Sequence, residues 1–230
     1  MGTWSMRDYK EEIEFFYNKL VNREKFALGK FADGEWGAIK GTQFLPANGE
    51  WAANGDHPLY EVARRELDVA ICPCYQDTIT FSEQPESNIT YANIFVNSNY
   101  EFYKEKYIEV YKEYDVHLVT HKDTNLDNLP FKVEKFYPIE YNAWVLNRDL
   151  PDQILSENPE GKLFLFAAGA FANILACKLW SKNKNNTYLD VGSTLNPWTQ
   201  IERLKREYYM GNKELECLVC PCPNYSPSKL

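Results

Sequence analysis

The sequence has no stretch of about 18 consecutive apolar residues, so no transmembrane helix is expected. Its first residues carry no apolar core behind a basic start. No secretory signal is therefore expected, and a cytoplasmic location follows. There is no run of Lys and Arg: 25 basic residues stand against 33 acidic ones, and the net charge is −8. That balance argues against a broad duplex-binding face, and no nucleic-acid partner is expected. No internal repeat, low-complexity tract or linker interrupts the chain. A Gly-x-Gly-x-x-Gly loop is also missing after the first strand, which counts against dinucleotide use. A paired Cys-x-x-Cys zinc pattern is not clearly met either. Cys72-Pro73-Cys74 and Cys217-Leu218-Val219-Cys220-Pro221-Cys222 fit that spacing poorly. Buried, reduced thiols are the plainer reading of these and of Cys177. A structural zinc site stays the alternative.

What is present is an ordinary globular composition with an aromatic surplus. Hydrophobic residues make up 44% and charged residues 25%, which excludes a disordered or fibrous chain. At 230 residues the chain can bury roughly 70% of its unfolded surface, enough for a core without disulfides. The 16 Tyr, 13 Phe and 6 Trp suit a core and also clefts that face carbohydrate or nucleotide.

Periodicity orders the elements. Ile13, Phe16, Tyr17, Leu20 and Val21 predict a helix over 7–22. Strands are predicted over 26–31, 69–75, 116–120, 133–139, 162–168, 187–191 and 216–220. Helices are predicted over 35–40, 58–67, 98–114, 147–157, 170–180 and 197–209, with a loop over 41–56. In the long helix over 98–114, Phe102, Tyr103, Tyr107, Ile108 and Tyr111 are expected to face inward. The alternation predicts an α/β, Rossmann-like, mostly parallel sheet with helices on both faces. We expect one domain over 1–230, with an N-terminal helix inside 1–24 and a loose tail over 223–230.

Ligands of such sheets bind beyond the carboxyl ends of the strands. Three strand ends carry suggestive residues: Asp33-Gly34-Glu35, Gly169-Ala170 and Asp190-Val191-Gly192-Ser193. Asp33 and Glu35, at i and i+2 in an extended segment, project to one side. Gly34 lets the backbone turn and approach a ligand. Two such carboxylates can hold a hard divalent cation such as Mg²⁺, which leaves positions open for phosphate oxygens. A plain Asp-Gly turn is the competing reading. Gly169 at a helix start offers backbone N–H groups to a phosphate, or else allows close helix–strand packing. Asp190 is a candidate for ribose, diphosphate or acceptor, or for capping nearby amides. Ser193 and Thr194 are phosphate donors or helix caps.

The segment Phe26-Ala27-Leu28-Gly29-Lys30-Phe31-Ala32-Asp33-Gly34-Glu35-Trp36 resembles the hallmark of the GT-D glycosyltransferases. That family carries an Asp-any-Glu motif after its first strand. Lys30 stands where the family often has Arg, and Ala32 where it often has Gly. Asn54-Gly55-Asp56-His57, Gly169-Ala170 and Thr187-Tyr188-Leu189-Asp190-Val191-Gly192-Ser193 are similar to later elements of related chains. The resemblance implies a nucleotide-sugar donor, with UDP favoured, and a glycan or glycoprotein acceptor. It implies Mn²⁺ or Mg²⁺ on Asp33 and Glu35 at the donor diphosphate. Lys30, Gly34, His57, Gly169, Asp190 and Ser193 then become donor-binding candidates. Asp56 is the candidate base on the acceptor hydroxyl, with an N-cap before Pro58 as its structural alternative. His57, one of three histidines, has a capping role as its alternative. Two other readings stand beside this one: a non-catalytic nucleotide- or glycan-binding module, and another Rossmann-like transferase.

Overall fold

A computed structural model of the chain describes residues 8–30, 78–81, 90–91, 94–141 and 143–199. The predicted elements over 35–40, 41–56, 58–67, 69–75 and 216–220 lie outside those residues. So do most of the helix expected over 197–209 and the tail over 223–230.

Helix α1, Tyr9–Val21, begins where its sequence provides a cap. The Asp8 carboxylate accepts from the amides of Lys10 and Glu11, and Glu11 answers the Asp8 amide in a capping box. Ile13, Phe16 and Leu20 are buried. Tyr17 is half-buried and Val21 stays half-exposed, so the inward stripe is narrower than expected. The strands are β1 Ala27–Lys30, β2 Thr78–Phe81, β3 Val116–His121, β4 Val133–Ile139, β5 Leu163–Phe166 and β6 Thr187–Asp190. They form one sheet in the order β2-β1-β6-β5-β3-β4. Five strands run parallel, and β2 pairs antiparallel with β1 at the edge. The fold is therefore α/β and Rossmann-like, as the alternation predicts.

Period-two alternation separates two cores. Ala27, Val119, Phe164, Phe166 and Tyr188 face one side of the sheet. There they meet α3 Ala143–Leu146, α4 Leu150–Ser156 and α5 Phe171–Lys182 through Trp144, Ile154 and Leu175. Leu28, Leu118, Leu165 and Leu189 face the other side, against α1 and α2. Helix α2 runs through Tyr100–Phe102, a π-helical turn Tyr103–Tyr107, and Ile108–Tyr111. A continuous α-helix was expected over this stretch. The π turn puts the rings of Tyr103 and Tyr107 in stacked contact at 5.5 Å. Both are buried, as are Ile108 and Tyr111, while Phe102 is half-buried. The helix expected over 147–157 is found as the shorter α4, with Pro151 in its first turn, where the missing N–H costs little, and the short α3 precedes it as a turn that was not expected. Short helix α6, Asn196–Thr199, follows β6 through a 3-10 turn, Gly192–Leu195.

Candidate functional site at the carboxyl ends of the strands

The parallel register brings the last residues of β1, β6, β5 and β3 to one edge of the sheet. At that edge Lys30 of β1 meets Asp190 of β6. The Lys30 amide donates to Asp190 Oδ2 at 3.3 Å, and the Gly192 amide donates to Oδ1 at 2.9 Å. The Lys30 ammonium lies 3.9 Å from Oδ1, beyond hydrogen-bond reach, and 5.8 Å from the centre of the Phe95 ring. Its side chain is 14% exposed, so this is a largely buried cation with one loosely held counter-charge among the described residues. Burial pushes the Asp190 carboxyl above its ordinary value, opposed by Lys30 and the two amides.

Glycine is favoured at 192 by its left-handed backbone, and a side chain there would have to displace the end of Lys30. The φ of Gly192 is +53°, and a Cβ there would come within 2.6 Å of Lys30 Nζ. Thr194, next in the turn, donates its hydroxyl to the Val191 carbonyl and sits 3.1 Å from the Tyr103 hydroxyl. It therefore serves as a turn cap. Ser193 is half-buried in the same turn. The structure thus brings Lys30 and Asp190 together, with Ser193 in the turn that follows Asp190.

Gly169 lies apart from them, exposed at the β5–α5 turn, with φ +55°. The first residue-level cap of α5 is Ala170, which has no side-chain acceptor. Asn173, in the first turn of α5, donates its Nδ2 to the Lys30 carbonyl at 2.8 Å and so ties α5 to the end of β1. Its Oδ1 is buried without a hydrogen-bond partner. Sequence reasoning missed Asn173, since a single Asn in an apolar helix carries no motif. It also missed His121, at the end of β3, whose Nε2 is likewise buried and unpartnered. A polar residue at the last position of a strand was the available signal for His121.

Asp33, Gly34, Glu35, Asp56 and His57 lie outside the described residues. Among the described residues no group of three or more His, Cys, Asp and Glu side chains gathers as a metal site. Asp190 accepts from two amides, with the Lys30 ammonium 3.9 Å away. Cys177 is a free thiol; the other five cysteines lie outside the described residues, and with them the question of zinc. No described helix is long and apolar enough to cross a membrane.

Fold and edge together define an α/β protein with a mostly parallel sheet and a lysine–aspartate meeting at the carboxyl ends of β1 and β6. Comparison with protein-family models, with curated proteins and with solved structures finds no match.

Proposed function

We propose that this protein is a metal-dependent glycosyltransferase that moves a sugar from a nucleoside-diphosphate sugar, with UDP favoured, to a hydroxyl of a glycan or glycoprotein in the cytoplasm. The observation that carries the reading is the Lys30 ammonium. It is largely buried at the carboxyl end of β1, out of hydrogen-bond reach of Asp190, and three residues before Asp33 in the chain. Sugar transfer from a diphosphate puts negative charge on the leaving group as the glycosidic bond breaks. Lys30 is a cation at the edge where parallel sheets of this kind receive ligands.

Asp33 and Glu35 would hold Mn²⁺ or Mg²⁺, the chemistry being Lewis-acid neutralisation of the departing diphosphate. Gly34 keeps that turn free of a side chain. Lys30 donates to phosphate oxygens as charge develops on them. Asp190 holds the Lys30 backbone and the Gly192 turn in place, so it positions the lysine. Ser193, Gly169 and His57 are further donor contacts. Asp56 takes the proton from the acceptor hydroxyl as the new bond forms.

The test is hydrolysis and transfer from a panel of nucleotide sugars, with and without Mn²⁺. Asp33→Asn and Glu35→Gln should each abolish metal-dependent turnover. Lys30→Ala should weaken UDP binding measured by calorimetry. Full activity in the two carboxylate variants would overturn the assignment. UDP binding without turnover on any donor would replace it with a binding module of the same fold.

A further inference from the structure

The pairing of β1 with β6 runs through Ala27–Tyr188 and Leu28–Leu189 and stops there. The Tyr188 amide donates to the Phe26 carbonyl, so every second residue of β1 from Phe26 onward turns its main-chain groups toward β6. Lys30 is one of them, two residues past the last pair. Side chains take over at that point. The Lys30 amide donates to Asp190 Oδ2 at 3.3 Å, and the Lys30 carbonyl accepts from Asn173 Nδ2 at 2.8 Å. Both main-chain polar groups of Lys30 are thus held by side chains, one from β6 and one from α5.

Asn173 is fully buried and is the one polar residue among the buried positions of α5. A carbonyl only accepts, so the atom facing Lys30 is the amide nitrogen, and both ends of the carboxamide are thereby assigned. Its Oδ1 is left buried without a hydrogen-bond partner. Stability alone argues against this residue. Asn forms helix less readily than Leu or Ala, and an unmade buried acceptor is costly. A position kept only for packing would be apolar, as the adjacent Ala172 and Ile174 are. What Asn173 supplies is a fixed point for the Lys30 carbonyl. Helix α5 is itself anchored in the core on that face through Phe171, Ile174 and Leu175, so the tie passes the position of a packed helix to the end of β1.

The ammonium depends on that strand end. Its counter-charge stands 3.9 Å away, beyond hydrogen-bond reach, so the backbone from which the side chain extends sets where the charge can lie. We propose that Asn173 is a positioning residue for Lys30, holding the end of β1 so that the ammonium meets the phosphate oxygens of a bound nucleotide. The proposal rests on the reading that Lys30 faces the donor diphosphate.

The experiment is a double-mutant cycle on UDP affinity, measured by calorimetry with Mn²⁺ present, beside a urea midpoint for every variant. Asn173→Leu nearly keeps the side-chain volume and removes the donor. Asn173→Ala is the second variant, in case the leucine disturbs the packing of α5. Either should weaken UDP binding about tenfold in the otherwise unaltered chain. The same change made in the Lys30→Ala background should weaken it by less than about twofold. A merely structural tie would lower the urea midpoint in both backgrounds and leave no such coupling in affinity. Two results would overturn the proposal alone: a lowered midpoint with UDP affinity unchanged, or an equal loss of affinity with and without Lys30. UDP that fails to bind the unaltered chain, or binds equally well to Lys30→Ala, would instead overturn the reading of the site, and the proposal with it.

Discussion

The two edges of the sheet use similar side chains to opposite ends. Toward the amino ends of β3, β4 and β5 the polar groups answer one another. Lys162 bridges Asp115 at 3.0 Å and Glu134 at 2.7 Å. Glu134 reaches His117 Nε2 at 3.2 Å. Tyr137 donates to Glu157 at 2.7 Å, and Lys135 pairs with the same carboxylate. At the carboxyl ends, among the described residues, the counter-charge of Lys30 stands 3.9 Å away, and His121 Nε2 and Asn173 Oδ1 are buried without partners. A closed network holds strands in place. An open one retains capacity for something outside the chain.

That contrast can be broken at its centre. Phe164 packs edge-on to His117 at 4.8 Å and stacks on Tyr188 at 5.1 Å, so it joins β3, β5 and β6 in the core beneath both sets of polar groups. Phe164→Ala should cost about 3–5 kcal/mol, read as a lower urea midpoint. A loss below about 1 kcal/mol would mean that the edges stand on their own. Next in size is Asp190→Ala, which leaves the Lys30 and Gly192 amides without their acceptor and the lysine without its counter-charge. About 1–3 kcal/mol is expected in the same measurement, and UDP binding should weaken with it.

A smaller effect is expected at His117. Burial lowers its pKa, against the opposing pull of Glu134. The unfolded chain, with a value near 6.5, then binds more protons than the folded one as pH falls through that value. Stability is full above about pH 6.5 and declines toward the lower folded value. His117→Gln should flatten this decline in urea midpoints taken at about pH 7 and about pH 5.5. An unchanged slope would assign the acid sensitivity to Asp115 and Glu134, whose lowered pKa values, set first by hydrogen bonds from Lys162, place their loss at lower pH. The smallest effect belongs to Lys162→Ala. Its partners are largely exposed, so less than about 1 kcal/mol should be lost, and less still in high salt. A loss comparable to that of Asp190→Ala would erase the distinction between the edges.

Much of the fold was legible in the sequence. The apolar runs at Leu163–Phe166 and Thr187–Asp190 read as buried strands because both faces of a parallel sheet are covered. Strand β2 did not: four residues, Thr78–Phe81, gain their identity from antiparallel pairing with β1, where Leu28 lies opposite Thr80, 52 positions later, and not from a local signal. The π turn in α2 also escaped, because one residue per turn too many leaves the inward pattern of aromatics nearly unchanged. Of the candidate site, the Lys30–Asp190 meeting was legible only as two separate strand ends. His121 was legible only as a polar residue at the last position of a strand, and its burial without a partner came from the structure.

The tyrosines of α2 have one further consequence. Tyr107 donates to the Ile13 carbonyl at 2.7 Å and Tyr114 to the Leu20 carbonyl at 2.6 Å, each spanning 94 positions. Both contacts step seven residues along α1 and along the α2 segment, so the two run side by side in one direction. The hydroxyls act as a two-point gauge. If α1 slid by one helical turn, about 5.4 Å, both would miss their carbonyls at once and be left in an apolar wall. The aromatic surplus thus sets how far along its neighbour the first helix may dock, and the mass of the rings fills the space between them.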